Sequence, residues 1–161
     1  MVKIALKIKA TTENVEELRP SGPGFRWYLK LVCSNCREES DKWNYLSLSE
    51  TVAAPKGHGV SHYVSKCKLC SRGNSITILG DLVKPFVARD QDSFQSIVVF
   101  DCRGLEPCDF WPRDGWTVKS VDDGTEFTDV DLTEGEWGEY CQKIDKSIWI
   151  YGIEFRLEKI K

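Results

Sequence analysis

The sequence is short of the residues from which most active sites are built. It has two histidines in 161 residues, His58 and His62, and neither lies near Cys108 or Cys141. It lacks an excess of positive charge: 22 lysines and arginines stand against 25 acidic residues, for a net charge of −3. That balance argues against a polyanion-binding surface, so no nucleic-acid partner is expected. No apolar run approaches the roughly 20 residues that cross a bilayer, and none is expected to meet a membrane. The opening Met1-Val2-Lys3-Ile4 is unlike a secretory leader. A soluble intracellular protein is the expectation, cytoplasmic before nuclear and monomeric. Its length and its 11% aromatic content suit a folded core rather than disorder.

What the sequence does have is cysteine, seven in all, an odd number that does not suggest a disulfide framework. Reducing compartments favour metal over cystine. Four of the seven form two CxxC pairs, Cys33-Ser34-Asn35-Cys36 and Cys67-Lys68-Leu69-Cys70. Two intervening residues let a tight turn aim both sulfurs at one ion, and two such turns complete a tetrahedron with Zn–S arms of about 2.3 Å. Either pair alone would also suit a redox dithiol; both together favour one zinc ion on Cys33, Cys36, Cys67 and Cys70. With sulfur in all four positions no place is left for an activated water, so the zinc is expected to be structural. Ser34, Asn35, Gly73 and Asn74 suit tight backbone geometry. Arg37, Lys66, Lys68 and Arg72 flank the sulfurs and offset the charge of minus two on such a centre. The long excursion between Cys36 and Cys67 means that the metal closes a large loop.

The other candidates are weaker. His58 and His62 have H-x3-H spacing, but Gly57 and Gly59 point to a surface loop rather than to metal ligands. Cys102 ends the apolar run Ile97-Val98-Val99-Phe100 and reads as a packing cysteine. Cys108 and Cys141 receive no role. Arg103 and Glu106 bracket a Gly-Leu turn at which a tight strand exit with solvated or locally paired charges is expected. Trp111, Trp116, Trp137 and Trp149 either line a groove or, as tryptophans at this density commonly do, close the edges of a thin core.

Alternation places strands over most of the chain. Ile4, Leu6 and Ile8 share one face, as do Phe25, Trp27, Leu29, Leu31 and Cys33. Further strands are expected at Ile76–Leu79, at Ile97–Cys102, and through Trp149, Tyr151, Ile153, Phe155 and Leu157. A helical turn or two is plausible between Thr12 and Pro20, where Val15 and Leu18 lie three apart. Asp131 to Lys146 is ambiguous: Thr133 with Glu136 resembles a capping box, but Gly135 and Gly138 weaken a helix. A shift of 69 to 70 residues lays Phe25 on Phe94, Cys33 on Cys102, and Leu6 and Ile8 on Ile76 and Ile78. The expected architecture is all-β, two similar sandwich- or barrel-like lobes from an internal duplication. Residues 1–75 would form the zinc-stapled lobe and 76–161 a related lobe without metal, packed as one unit.

Short motifs spread along the chain carry a resemblance. They are Lys3-Ile4-Ala5-Leu6, Leu18-Arg19-Pro20, Phe25-Arg26-Trp27-Tyr28-Leu29-Lys30, Cys33 with Cys36, Ser40-Asp41-Lys42-Trp43, Lys66-Cys67-Lys68-Leu69-Cys70, Asn74-Ser75-Ile76 and Cys102-Arg103-Gly104-Leu105-Glu106-Pro107. In this order they resemble the eukaryotic CXXC-motif-containing zinc-binding proteins, a family of unknown function. The resemblance implies a two-lobed all-β fold with zinc on Cys33, Cys36, Cys67 and Cys70, and it supplies no catalytic residues. The leading expectation is a non-catalytic, zinc-stabilised module that binds another protein, as an adaptor or chaperone-like factor. A thiol oxidoreductase using Cys102 or another spare cysteine is the alternative, with metal delivery a weaker third.

Overall fold

The computed structural model describes residues 2–54 and 59–161. His58 and the Gly57 side of its loop lie outside the described residues. Strands run in the order β1 (Val2–Glu13), β2 (Val15–Pro20), β3 (Trp27–Cys33), β4 (Asn44–Leu46), β5 (Val52–Ala53), β6 (Val60–Ser61), β7 (Tyr63–Lys66) and β8 (Gly73–Ile78). They continue with β9 (Phe86–Val87), β10 (Gln95–Arg103), β11 (Leu105–Trp111), β12 (Trp116–Ser120), β13 (Glu126–Val130), β14 (Trp137–Cys141) and β15 (Lys146–Ile160). Two single-turn 3-10 helices, Gly80–Leu82 and Ala88–Asp90, interrupt them. The fold is all-β, as the alternation predicts.

A six-stranded antiparallel sheet, β14-β15-β1-β10-β8-β7, forms one wall. The smaller sheets β11-β3-β4 and β13-β12-β2-β9 form the other, and β5-β6 is a short ribbon. The alternating positions of β1 explain the packing: Ile4, Leu6 and Ile8 are buried, while Lys3, Lys7 and Lys9 keep partial contact with solvent. Their inward faces meet Trp27, Leu29 and Leu31 of β3, Leu18 of β2 and Trp116 and Val118 of β12 in one continuous core. Phe25, Trp27, Phe100 and Trp116 meet edge to face at its centre, with Trp27 and Trp116 centroids 6.1 Å apart. Such pairs contribute about 0.5–1.5 kcal/mol each beyond burial.

The plausible helical turn between Thr12 and Pro20 is a strand, and the ambiguous stretch Asp131 to Lys146 resolves into turns around β14. Val15–Pro20 pairs with β12 from Val15↔Ser120 to Pro20↔Trp116, because Asn14 at φ +58 turns the chain back and Val15 and Leu18 then enter the core. Thr133 is not a helix cap; its backbone N–H and hydroxyl both donate to Asp131, and Gly135 at φ +81 completes a turn into β14. Local capping signals lost to the ladder between β14 and β15.

Strands from both sides of residue 75 share all three larger sheets, and that position itself falls inside β8. The strand order has an unexpected property. Exchanging β1 with β10, β8 with β15 and β7 with β14 leaves the six-stranded order unchanged, and exchanging β2 with β11, β3 with β12 and β4 with β13 turns β11-β3-β4 into β2-β12-β13. The shift of 69 to 70 residues read from the sequence does not follow this exchange. It would lay β1 on β8 and β3 on β10, yet β3 and β10 belong to different sheets. In the observed order the position equivalent to β3 is β12, so strand order does not pair Cys33 with Cys102.

Candidate metal centre

Both CxxC segments fold by the same local rule. At the end of β3, Cys33 N–H donates to Glu38 O (2.9 Å) and Arg37 N–H returns to Cys33 O (2.9 Å), with Arg37 at φ +66. After β7, Cys67 N–H donates to Arg72 O (2.9 Å) and Ser71 N–H returns to Cys67 O (2.9 Å), with Ser71 at φ +62. Each turn therefore reverses the chain tightly, with its two sulfurs on the inside. The β7-β8 hairpin and the ladder from β8 through β10 set the second turn against the first.

The four sulfurs expected to meet do meet. Cys33, Cys36, Cys67 and Cys70 place their Sγ atoms all within 4.8 Å of one another. The Cys33–Cys70 separation is 3.8 Å and the Cys36–Cys67 separation 3.5 Å. A tetrahedron with arms of about 2.3 Å has edges of about 3.8 Å, whereas a disulfide would need about 2.05 Å. The donor set and its spacing fit a tetrahedral metal ion. Cys33 is buried, and the other three are partly accessible.

Hydrogen bonds prepare the sulfurs for that charge. Cys33 is held down at about 6, first by the backbone N–H of Cys36 and then by that of Asn35. The Asn35 side chain and the Arg72 backbone lower Cys70. The Glu38 backbone favours the Cys36 thiolate, but burial and the neighbouring sulfurs outweigh it and push Cys36 up to about 12. The sulfurs' ionisation is coupled through their mutual hydrogen bonds, and a cation at their centre would relieve the repulsion among thiolates.

Around this cluster lies a layer that sequence reading missed. Gly104, between β10 and β11, accepts Ser34 N–H through its carbonyl (3.0 Å), and Leu105 pairs with Cys33 in the ladder. Glu106 Oε2 accepts the Ser34 hydroxyl (2.8 Å) and Oε1 lies 3.8 Å from Lys159 Nζ. The strand exit expected at Arg103 to Glu106 therefore buttresses the first knuckle. Asn74, expected only to help a turn, is buried with its Nδ2 3.8 Å from Cys33 Sγ. Its parity offered a signal, since it shares the inward face of β8 with Ile76 and Ile78.

The remaining candidates are dispersed. His62 accepts the Ile78 backbone N–H on Nδ1 (2.8 Å), burial lowers its pKa, and it is outside the sulfur cluster. Cys102 is buried between β1 and β8, where burial pushes its thiol up to about 12, so it packs as its apolar run predicts. Cys108 is exposed and Cys141 buried. Trp116 is core, whereas Trp111 lies on the outer face of β11 beside Trp43, with centroids 5.5 Å apart.

An all-β chain in which two reverse turns gather four cysteine sulfurs at tetrahedral spacing is a metal-binding β protein of the four-thiolate type. The family description "CXXC motif containing zinc binding protein, eukaryotic" matches residues 5–158, and the chain belongs to that family. It is 49% identical to the Homo sapiens CXXC motif containing zinc binding protein over 99% of each chain. It is 45% identical to the UPF0587 protein CG4646 of Drosophila melanogaster, over 100% of this chain and 99% of the fly protein. The crystal structure of C1orf123 superposes with a TM-score of 0.94 at 49% identity, covering 98% of this chain and 99% of that one. A hypothetical protein from Plasmodium falciparum shares the fold, with a TM-score of 0.89 at 21% identity over 98% and 100% of the two chains.

Proposed function

We propose that the chain is a non-catalytic protein-interaction module whose single zinc ion holds together the β3-β4 and β7-β8 regions, and that it docks an acidic, extended protein segment on the outer face of β11-β3-β4. The metal part rests on the four-sulfur geometry: a closed shell leaves no position for a reacting water. Cys33, Cys36, Cys67 and Cys70 would hold the ion, and when bound it would neutralise their charge and cross-link the two turns.

The interaction part rests on one surface. On the solvated face of an antiparallel sheet ordinary polar residues are expected, but here four aromatic rings and three cations interleave. Arg26 lies over Tyr45 (4.5 Å), whose ring centroid is 6.0 Å from that of Tyr28. Arg113 lies over both Tyr28 (4.4 Å) and Trp111 (5.0 Å), and Lys30 over Trp43 (5.0 Å). Among the described residues none of these three cations is in an ion pair, although Glu50 acts on Arg26 through space and Arg113 helps to hold the Asp131 carboxyl low. Arg26 also donates to the Tyr28 side chain, and the remaining N–H edges of the two stacked guanidiniums suit a carboxylate. Because the rings already carry cations, they are poorly placed to stack on bases, and this favours acidic peptide over single-stranded nucleic acid.

Fluorescence anisotropy with a labelled glutamate-rich decapeptide tests this, with its glutamine counterpart and a deoxythymidine 15-mer as comparisons. Salt-sensitive binding of the acidic peptide alone is expected, lost in R26E/K30E while the melting temperature is kept. No binding, equal binding of the glutamine peptide, preference for the oligonucleotide, or undiminished binding by R26E/K30E would each overturn the docking proposal.

A further inference from the structure

Asn74 has the wrong chemistry for its position unless it serves the sulfurs. It is 1% exposed, in the second position of β8, directly behind the second CxxC turn. A buried amide left without partners costs about 1–3 kcal/mol, and leucine would fill much the same space without that cost. The Nδ2 group lies 3.8 Å from Cys33 Sγ, while Oδ1 has no hydrogen-bond partner. Only the amide N–H can donate, and a thiolate only accepts, so the sulfur decides which way the amide points.

The opposite side of Asn74 is shaped to receive it. Gly104 has φ +78, and a Cβ added there would overlap Asn74 Oδ1. Any side chain at 104 would meet both a disfavoured backbone conformation and the amide oxygen. The same residue accepts Ser34 N–H within the first CxxC turn. One residue from behind the second turn and one glycine from the β10-β11 connection thus close around Cys33.

We propose that Asn74 is a positioning residue of the metal centre, whose N–H fixes the Cys33 sulfur, and that Gly104 is glycine in order to admit it. The proposal rests on the reading of the four sulfurs as a metal site. Donation into a ligand sulfur draws electron density from it and eases the repulsion among four thiolates around one ion. Because Asn74 and Gly104 belong to neither CxxC turn, they tie the metal's first layer to the central sheet.

Cobalt(II) reconstitution separates this role from simple packing. The wild-type protein is expected to show the visible bands of a tetrahedral four-sulfur site. N74L should keep those bands, move the sulfur-to-cobalt charge-transfer band to lower energy, and lose about 10- to 100-fold in zinc affinity, as loss of an outer-layer partner typically does. G104A should lose affinity in the same direction. A charge-transfer band and affinity unchanged in N74L would overturn the proposal. Should N74L fail to fold, cadmium-113 reconstitution of the wild type decides the matter: scalar coupling between the metal and the Asn74 side-chain amide protons is expected, and its absence refutes the hydrogen bond. A wild-type protein without a tetrahedral cobalt spectrum would instead overturn the metal reading itself, and this proposal with it.

Discussion

Removing the second knuckle, as C67A/C70A, should lower the melting temperature of the zinc-loaded protein by roughly 10 °C. The magnitude follows from the loop that the metal closes. Cys36 and Cys67 are 31 residues apart along the chain. An unfolded chain can present all four sulfurs only after closing that loop, at a cost of roughly 4 kcal/mol by the loop-entropy relation used for cross-links. The folded chain presents them already closed, because β3 is held by β11 and β7 by β8. Zinc therefore favours the folded state by up to this difference, since binding through a single CxxC pair can only help the unfolded chain. Removing Cys67 and Cys70 leaves only that local pair in both states, and the preference disappears. For a protein of this size about 1 kcal/mol corresponds to about 2–4 °C in melting temperature. The variant should nevertheless fold, because the aromatic core around Trp27, Phe100 and Trp116 lies apart from the sulfurs. Circular dichroism melts of the wild type and C67A/C70A, each with zinc and with a strong chelator, provide the measurement. The chelator should bring the wild type down to the variant. A zinc-loaded variant within 2 °C of the wild type would refute the reasoning.

Three further outcomes are expected. His62 has its pKa lowered by burial, so the folded protein binds a proton there less readily than the unfolded chain; stability should be present above the unfolded value of about 6.5 and decline as pH falls below it. Melting temperatures of wild type and H62N from pH 8 to 5 check this, and parallel curves would contradict it. Cys102, buried with its thiol pushed up to about 12, should resist iodoacetamide at pH 7 in the native protein while exposed Cys108 reacts, as peptide mapping by mass spectrometry would read. D122N should cost no more than about 1 kcal/mol in a denaturant titration, because the Asp122–Lys146 pair at 3.3 Å is largely solvated.

In the strand-order exchange, the turns after β3 and β7 correspond to those after β12 and β14. At the second site Asp123 accepts from Ser120 and Thr125, which holds its carboxyl at about 2, and Lys146 reaches Asp122. The sequence echo read at a shift of 69 to 70 residues missed this correspondence, since alternating apolar residues match one another at many offsets while strand pairing allows one.

The four ligand candidates, the all-β class and the packing role of Cys102 were legible from residue order alone, because CxxC spacing and period-two alternation are local properties that the backbone must obey. Val15–Pro20 and Trp137–Cys141 were not, because their partners are about 100 and 10 residues away respectively, and a ladder overrides a weak capping signal. Tertiary structure alone brought Gly104 and Asn74 to Cys33 and assembled Arg26, Tyr28, Lys30, Trp43, Tyr45, Trp111 and Arg113 into one surface. These groupings depend on the crossings between β3, β8, β10 and β11, and no spacing within a single segment encodes which strands lie side by side.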